Sequence, residues 1–234
     1  MSKKILAIIP ARSGSKGIKN KNIKKIINKP LIYWTIKEAK KSRSISKLIV
    51  STNSKKIKNI ALKYNVSVPF LRPEKISNDN SSDYELIIHA INFYKKKNIF
   101  FDYVLLLQPT SPLRTSEDID KLVKYAMTNN LKTLVSFAKV KSEHPNFLFK
   151  VKNGKILRYS KQKKSIDTIR QKVKDLYYPE GSIFFSKVRT YLKYKSFYNK
   201  ETKLYLLPKW KSFEIDDIED LKFVEQLLKI KKKL

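Results

Sequence analysis

The 234-residue chain carries 52 Lys and Arg against 20 Asp and Glu, a formal charge of +32, and it contains no cysteine. That excludes a disulfide framework and thiolate chemistry, and the length suits one full α/β domain rather than two large independent ones. The charge invites a nucleic-acid reading, but the lysines are spread through nearly every segment instead of gathering on one arm or helix. A general drift toward lysine, asparagine and isoleucine produces the same pattern, so nucleic acid is not the expected partner, although anionic substrates would be drawn in.

Residues Ser2 to Lys4 run straight into a short apolar strand, too short for a signal-peptide core. No apolar run approaches the roughly 20 residues of a membrane span. A cytoplasmic protein with no membrane partner is the expectation.

Ile5 to Ile9 reads as a buried strand. It ends in a loop that holds two of the chain's four glycines, Gly14 and Gly17, beside Arg12, Ser15, Lys16, Lys19 and Lys21. Glycine lets backbone N–H groups come close to an anion, and ligands of open α/β sheets bind at strand carboxyl ends. The loop has neither Walker A nor GxGxxG spacing. A solvated basic turn is the plainer alternative.

Further strands are expected at Lys47 to Ser51, Tyr103 to Leu107 and Thr133 to Phe137, with helices between them, the pattern of βαβ units. Tyr84, Ile87, Ile88, Ile91 and Tyr94 share one helical face, with Ser82 or Asp83 as its cap. Another helix runs from Glu117 to Met127 after Thr115 or Ser116. Leu105 to Arg114, LLLQPTSPLR, is a second punctuated strand end. Gln108 there suits a hydrogen bond to a sugar or base, whereas Arg114 fits a capping role better. Past Lys139, Phe147 to Val151 and Lys155 to Tyr159 flank an Asn-Gly pair and predict a hairpin. The polar run Ser160 to Lys174 then reads as an insertion, an arm or a dimer element. Strands resume at Ser182 to Ser186 and Lys203 to Leu207, and a helix with Ile218, Leu221, Val224, Leu227 and Leu228 on its apolar face closes the chain. His89 and His144 read as packed or turn residues.

In a chain short of acids, FEIDDIED from Phe213 to Asp220 has five carboxylates within seven positions. If the strand-like alternation holds, Glu214 and Asp216 point to one side and suit Mg²⁺ against phosphate oxygens. Asp217 and Asp220 fit a helix cap and first turn better. Cationic loop, polar turn and acidic cluster together are what a nucleotidyl transfer requires.

LAIIPARSGSKGIKNKN at Leu6 to Asn22 is similar to the amino-terminal signature of the cytidylyltransferases that activate sialic acid and related nonulosonic acids. LRPEKIS, LLLQPTSPLR, the RQ…EGSIFF stretch from Arg170 to Phe185 and EID…DL follow in the family's order. The Lys21-Asn22 ending separates the chain from the related Kdo enzymes. The resemblance implies an α/β, Rossmann-like nucleotide-diphospho-sugar transferase fold, with a mostly parallel mixed sheet, helices on both faces and a dimerisation insert at about 140–175. It implies transfer of CMP from CTP to a 2-keto sugar acid, with Mg²⁺ or Mn²⁺, in a homodimer.

By the same resemblance Arg12, Ser15, Lys16 and Lys21 would hold the triphosphate, with Arg12 and Lys21 catalytic. Asn22 and the Ser82/Asp83 region would meet the ribose, and Arg72 would read cytosine. Gln108 and Arg170 would face the acceptor, and Glu214 and Asp216 would ligate the metal. Two positions depart from the family pattern. Glu214 stands where aspartate is usual, and Glu180-Gly181-Ser182 replaces Asn-Gly-Ala. Glu180 is therefore expected either to mark a different acceptor or to point away from it.

Overall fold

A computed structural model describes residues 3–15, 17–141, 143–159 and 173–231. Lys16 and Arg170 lie outside the described residues, as does most of the polar run Ser160 to Lys174.

The central sheet is built on β1 (Ile5–Pro10), whose residues Ile5 to Ile9 are all buried. It pairs in parallel with β4 (Lys47–Ser51) on one side and β5 (Tyr103–Leu107) on the other. Beyond β5 lies β9 (Tyr177–Lys187), antiparallel to both β5 and β6 (Thr133–Lys139), and β10 (Thr202–Leu206) closes the far edge parallel to β6. The order is thus β10-β6-β9-β5-β1-β4, a mostly parallel mixed sheet. Buried on both faces, the central strands carry unbroken apolar runs instead of alternation.

Alternate residues of these strands feed two cores. Ile5, Ala7, Ile9, Leu105 and Leu107 pack beneath α1 (Leu31–Lys41), α2 (Lys55–Lys63) and α4 (Ser116–Thr128). Leu6, Ile8, Val104 and Leu106 pack beneath α3 (Asp83–Lys95) and α5 (Val188–Tyr194). A third cluster joins α6 (Ile218–Lys231) through Leu221, Val224 and Leu228 to Ile18, Leu31, Trp34 and Ile215, beside the ribbon β2 (Lys25–Ile26) and β3 (Lys29–Pro30). Each fully buried Leu or Ile contributes about 1.5–3 kcal/mol, so this last cluster fastens the acidic segment against the first loop.

Helix ends follow local chemistry. Ser82 with Glu85 and Thr115 with Asp118 form capping boxes at α3 and α4, each satisfying orphan backbone donors. Left-handed asparagines stand just past α2, α3 and α4 at Asn65, Asn98 and Asn130. Asparagine does there what glycine does elsewhere, in keeping with the chain's asparagine-rich, glycine-poor composition.

Several boundaries differ from expectation. The buried face of α3 is Leu86, Ile87, Ala90 and Tyr94, one step round from the expected stripe. β9 begins at Tyr177, five residues before the expected Ser182, because Tyr177 to Pro179 pair with β6 past a register shift between Val135 and Phe137. The hairpin is β7 (Phe149–Lys152) with β8 (Lys155–Arg158). Phe147 instead closes a 3₁₀ turn from Pro145, whose ring presets φ for that turn. Glu214 to Asp216 are not in a strand; contacts, not alternation, aim their carboxylates.

Candidate active site

A cleft of about 510 Å³ opens at the carboxyl ends of β1 and β5. Arg12, Ser15, Lys21, Asn22, Arg72, Asp83, Gln108 and Asp216 all line it. This is the crevice in which open α/β sheets bind ligands.

The first loop is held from three directions. Asn53 Oδ1 accepts from the Ser13 backbone N–H at 3.0 Å, and Asn53 Nδ2 donates to Ser13 Oγ at 3.0 Å. Asn22, buried under the loop, donates to the Arg12 carbonyl at 3.0 Å. Lys21 Nζ donates to the Ile215 carbonyl at 2.8 Å and to Asp216 Oδ1 at 3.1 Å. Gly17 is required by closeness: a Cβ at that position would stand 2.1 Å from the Asp216 carbonyl oxygen. Arg12 crosses the cleft to an ion pair with Asp79.

Arg72 is buried, with its backbone N–H on the Thr52 carbonyl at 2.7 Å and its Nε on Ser77 Oγ at 2.9 Å. Burial first, and then the Arg12 charge, lowers its pKa to about 10; it stays cationic at neutral pH. Asp83 touches solvent, but the protein crowded about its carboxyl raises its pKa, with the Arg72 charge pulling the other way. Ser82 is occupied as the α3 cap and is not among the residues lining the cleft.

On the opposite wall, Gln108 offers its side chain to the cleft while its carbonyl accepts from Thr35 Oγ1 at 3.3 Å and from Arg114 Nη1 at 3.4 Å. Arg114 is buried and donates to the Ser182 carbonyl at 2.7 Å, so it ties the ends of β5 and β9 together under the turn. Glu180 turns inward: it is 1% exposed, and its Oε1 accepts from Ser182 Oγ at 2.6 Å. It is not among the residues that line the cleft, and its carboxylate faces the turn at Ser182 instead. Burial raises its pKa.

Glu214 is likewise not among the residues lining the cleft, unlike Asp216; it accepts from Ser111 Oγ at 3.4 Å, and its carboxyl pKa is pushed up to about 7 by burial, then by Asp216 and Glu180. Among the described residues no three His, Cys, Asp or Glu side chains converge as a ready-made metal cage. Asp217 and Asp220 instead bond each other's backbone N–H groups at the start of α6, at 2.9 Å and 3.1 Å. His89 packs edge-on against Phe70 at 4.4 Å, and His144 accepts from the Asn146 N–H at 3.2 Å in its turn.

Sequence reasoning missed Asn53, Asp79 and Ser111. Asn53 had a legible signal, since Ser51-Thr52-Asn53-Ser54 is a polar turn at a strand's carboxyl end like that at Gln108. Asp79 had none.

Fold and cleft together define an α/β protein with a cation-lined crevice at the carboxyl ends of its central strands. Residues 6–233 match the family model described as cytidylyltransferase, and the chain belongs to that family of nucleotide-transferring enzymes.

The chain is 37% identical over 227 residues to an N-acylneuraminate cytidylyltransferase of Escherichia coli, covering 94% of this chain and 51% of that one. It thus spans about half the length of that relative. It is 34% identical over 228 residues to the CMP-N,N'-diacetyllegionaminic acid synthase of Legionella pneumophila, with 97% of both chains covered. In fold it is similar to a CMP:2-keto-3-deoxy-manno-octonic acid synthetase solved with CTP, at TM-score 0.70 and 15% identity, over 98% of this chain and 100% of that one. No helix among the described residues is long and apolar enough to cross a membrane.

Proposed function

We propose that the chain activates a sialic-acid-like nonulosonic acid: CTP and the 2-keto sugar acid give the CMP-sugar and pyrophosphate. The observation that carries this reading is that Arg12 and Lys21, from the start of the chain, share one cleft with Gln108 and with Asp216, from near its end. The Legionella relative, matched over 97% of both chains, supports a nonulosonic acid as acceptor.

In this reading Arg12, Ser15, Lys16 and Lys21 hold the triphosphate, and the two cations Arg12 and Lys21 stabilise charge as the anomeric hydroxyl attacks the α-phosphorus and pyrophosphate leaves. Asn22 and the Ser82/Asp83 segment meet the ribose, Arg72 reads the base, Gln108 orients the acceptor and Arg170 takes its carboxylate. Glu214 and Asp216 would hold Mg²⁺ or Mn²⁺. Their hard oxygen donors, and a Glu214 carboxyl whose pKa burial and then the nearby acids raise, fit a divalent cation that completes its shell with phosphate oxygens and water. Such a cation supplies Lewis-acid neutralisation of the phosphates.

A cytoplasmic homodimer completes the reading. Its support is the hairpin of β7 and β8, where Val151 is 75% and Ile156 70% exposed. Exposed apolar side chains gathered on one hairpin support an association role for it.

Pyrophosphate release with each of the four nucleoside triphosphates, Mg²⁺ and a panel of nonulosonic acids tests the function. Release with CTP and one such acid is expected. Release with a Kdo-type acceptor or another nucleotide moves the activity within the fold. Silence across the panel, with tight salt-sensitive nucleic-acid binding, turns the reading toward a basic binding protein.

A further inference from the structure

Glu180 and Glu214 meet across a single glycine, Gly181. Gly181 sits in a left-handed conformation, φ +73°, where β9 shifts register against β6. A Cβ on it would fall 1.3 Å from Glu214 Oε1 and 2.4 Å from Cδ. The carboxylate of Glu214 therefore occupies the volume that any other residue at 181 would fill. Aspartate, one methylene shorter, would reach less far toward that point.

The seat is built from below. Glu180 Oε1 accepts from Ser182 Oγ at 2.6 Å and from the Ser182 N–H at 3.3 Å, clasping the turn on both sides of Gly181. Ser136 Oγ accepts from the Ile183 N–H at 2.9 Å and donates to the Ile183 carbonyl at 3.0 Å. Arg114 Nη1 holds the Ser182 carbonyl at 2.7 Å. Glu180, Ser136, Ser182 and Arg114 are all buried. A buried carboxylate that clasps its own turn, instead of facing the cleft, is placed to support backbone and not to bind ligand.

We infer that Gly181 is a positioning residue, set by the Glu180 clasp, and that it admits the longer Glu214 side chain and fixes where its carboxylate meets the metal. This rests on the proposed metal role of Glu214 and Asp216, and it adds that the seat in β9 sets the position of the Glu214 carboxylate. Glycine here serves close approach as well as the positive φ.

The test is Mn²⁺ binding in the presence of CTP, read by electron paramagnetic resonance, for wild type, Gly181→Ala, Glu214→Asp and the double variant, with circular dichroism to check folding. Gly181→Ala is expected to weaken Mn²⁺ binding at least about tenfold, with CTP binding in the absence of metal changed less than about twofold. Shortening the acid should cancel the collision, so the double variant is expected to bind Mn²⁺ within about threefold of Glu214→Asp alone.

If Gly181→Ala fails to fold while the double variant folds, steric relief is shown directly and the inference stands. A folded Gly181→Ala that binds Mn²⁺ like wild type overturns it. So does a double variant that gains nothing over Gly181→Ala, because backbone strain at positive φ would then be the whole effect. Wild type that binds CTP but no Mn²⁺ removes the metal reading itself, a failure distinct from these.

Discussion

Lys21 Nζ lies 3.1 Å from Asp216 Oδ1 although 195 positions separate the two residues. The same ammonium donates to the Ile215 carbonyl at 2.8 Å, so one side chain both supplies charge to the cleft and latches the acidic segment to the first loop. In the proposed reaction Lys21 would move between carboxylate and phosphate. Lys21→Met is expected to lower turnover with CTP at least about 100-fold, the scale of losing one transition-state charge stabiliser. Steady-state pyrophosphate release measures it, and near-normal kcat would remove Lys21 from the chemistry.

Gly17 touches the same segment from the loop side. A methyl there would meet the Asp216 carbonyl at 2.1 Å, a backbone atom that cannot swing aside as a side chain could. Gly17→Ala should cost about 1–3 kcal/mol through overpacking and weaken CTP binding by spreading the loop from Asp216. Urea unfolding and nucleotide titration report the two effects; an alanine variant as stable as wild type would mean that the loop yields freely.

Glu214 makes stability depend on pH in an unusual direction. Its carboxyl is raised from 4.5 to about 7 in the fold, so between those values the native state holds more protons than the unfolded chain. Stability of the metal-free protein then falls as pH rises through that window. Thermal unfolding in a chelator should show Glu214→Gln gaining on wild type between pH 5 and pH 8. Metal binding displaces that proton, so apparent Mg²⁺ affinity should climb up to about tenfold per pH unit below 7 and flatten in Glu214→Gln. Parallel pH profiles for the two proteins would contradict the assignment.

Behind the site, Lys211 Nζ stands 2.7 Å from both oxygens of Asp118, with side chains only 13% and 10% exposed. Asp118 also closes the α4 capping box, so this pair ties the approach to the acidic segment onto a helix start. Lys211→Met leaves that carboxylate buried without its cation, and the expected loss is about 3 kcal/mol in chemical denaturation. A loss below about 1 kcal/mol would place the pair with ordinary surface bridges.

The architecture was readable because strands buried on both faces carry unbroken apolar runs, as in Ile5 to Ile9 and Tyr103 to Leu107, and because punctuation at their carboxyl ends marks the ligand side. Asp217 and Asp220 were likewise readable as a cap, since capping is local chemistry. Alternation failed at Glu214 and Asp216 because no strand exists there. Their direction comes from the Thr110 carbonyl, which accepts from the Ile215 N–H at 2.9 Å, from Lys21, and from the space over Gly181.

The sequence by itself determined the α/β class, the order of motifs and the family, all of which rest on local periodicity and on short residue patterns. Only the tertiary structure decided that Asp79 reaches Arg12, that Arg114 and Glu180 are buried, and that Glu180 and Glu214 meet at one glycine. Such relations depend on distances between segments about 30 to 200 residues apart, and those are set by packing of the whole sheet, which no local pattern encodes.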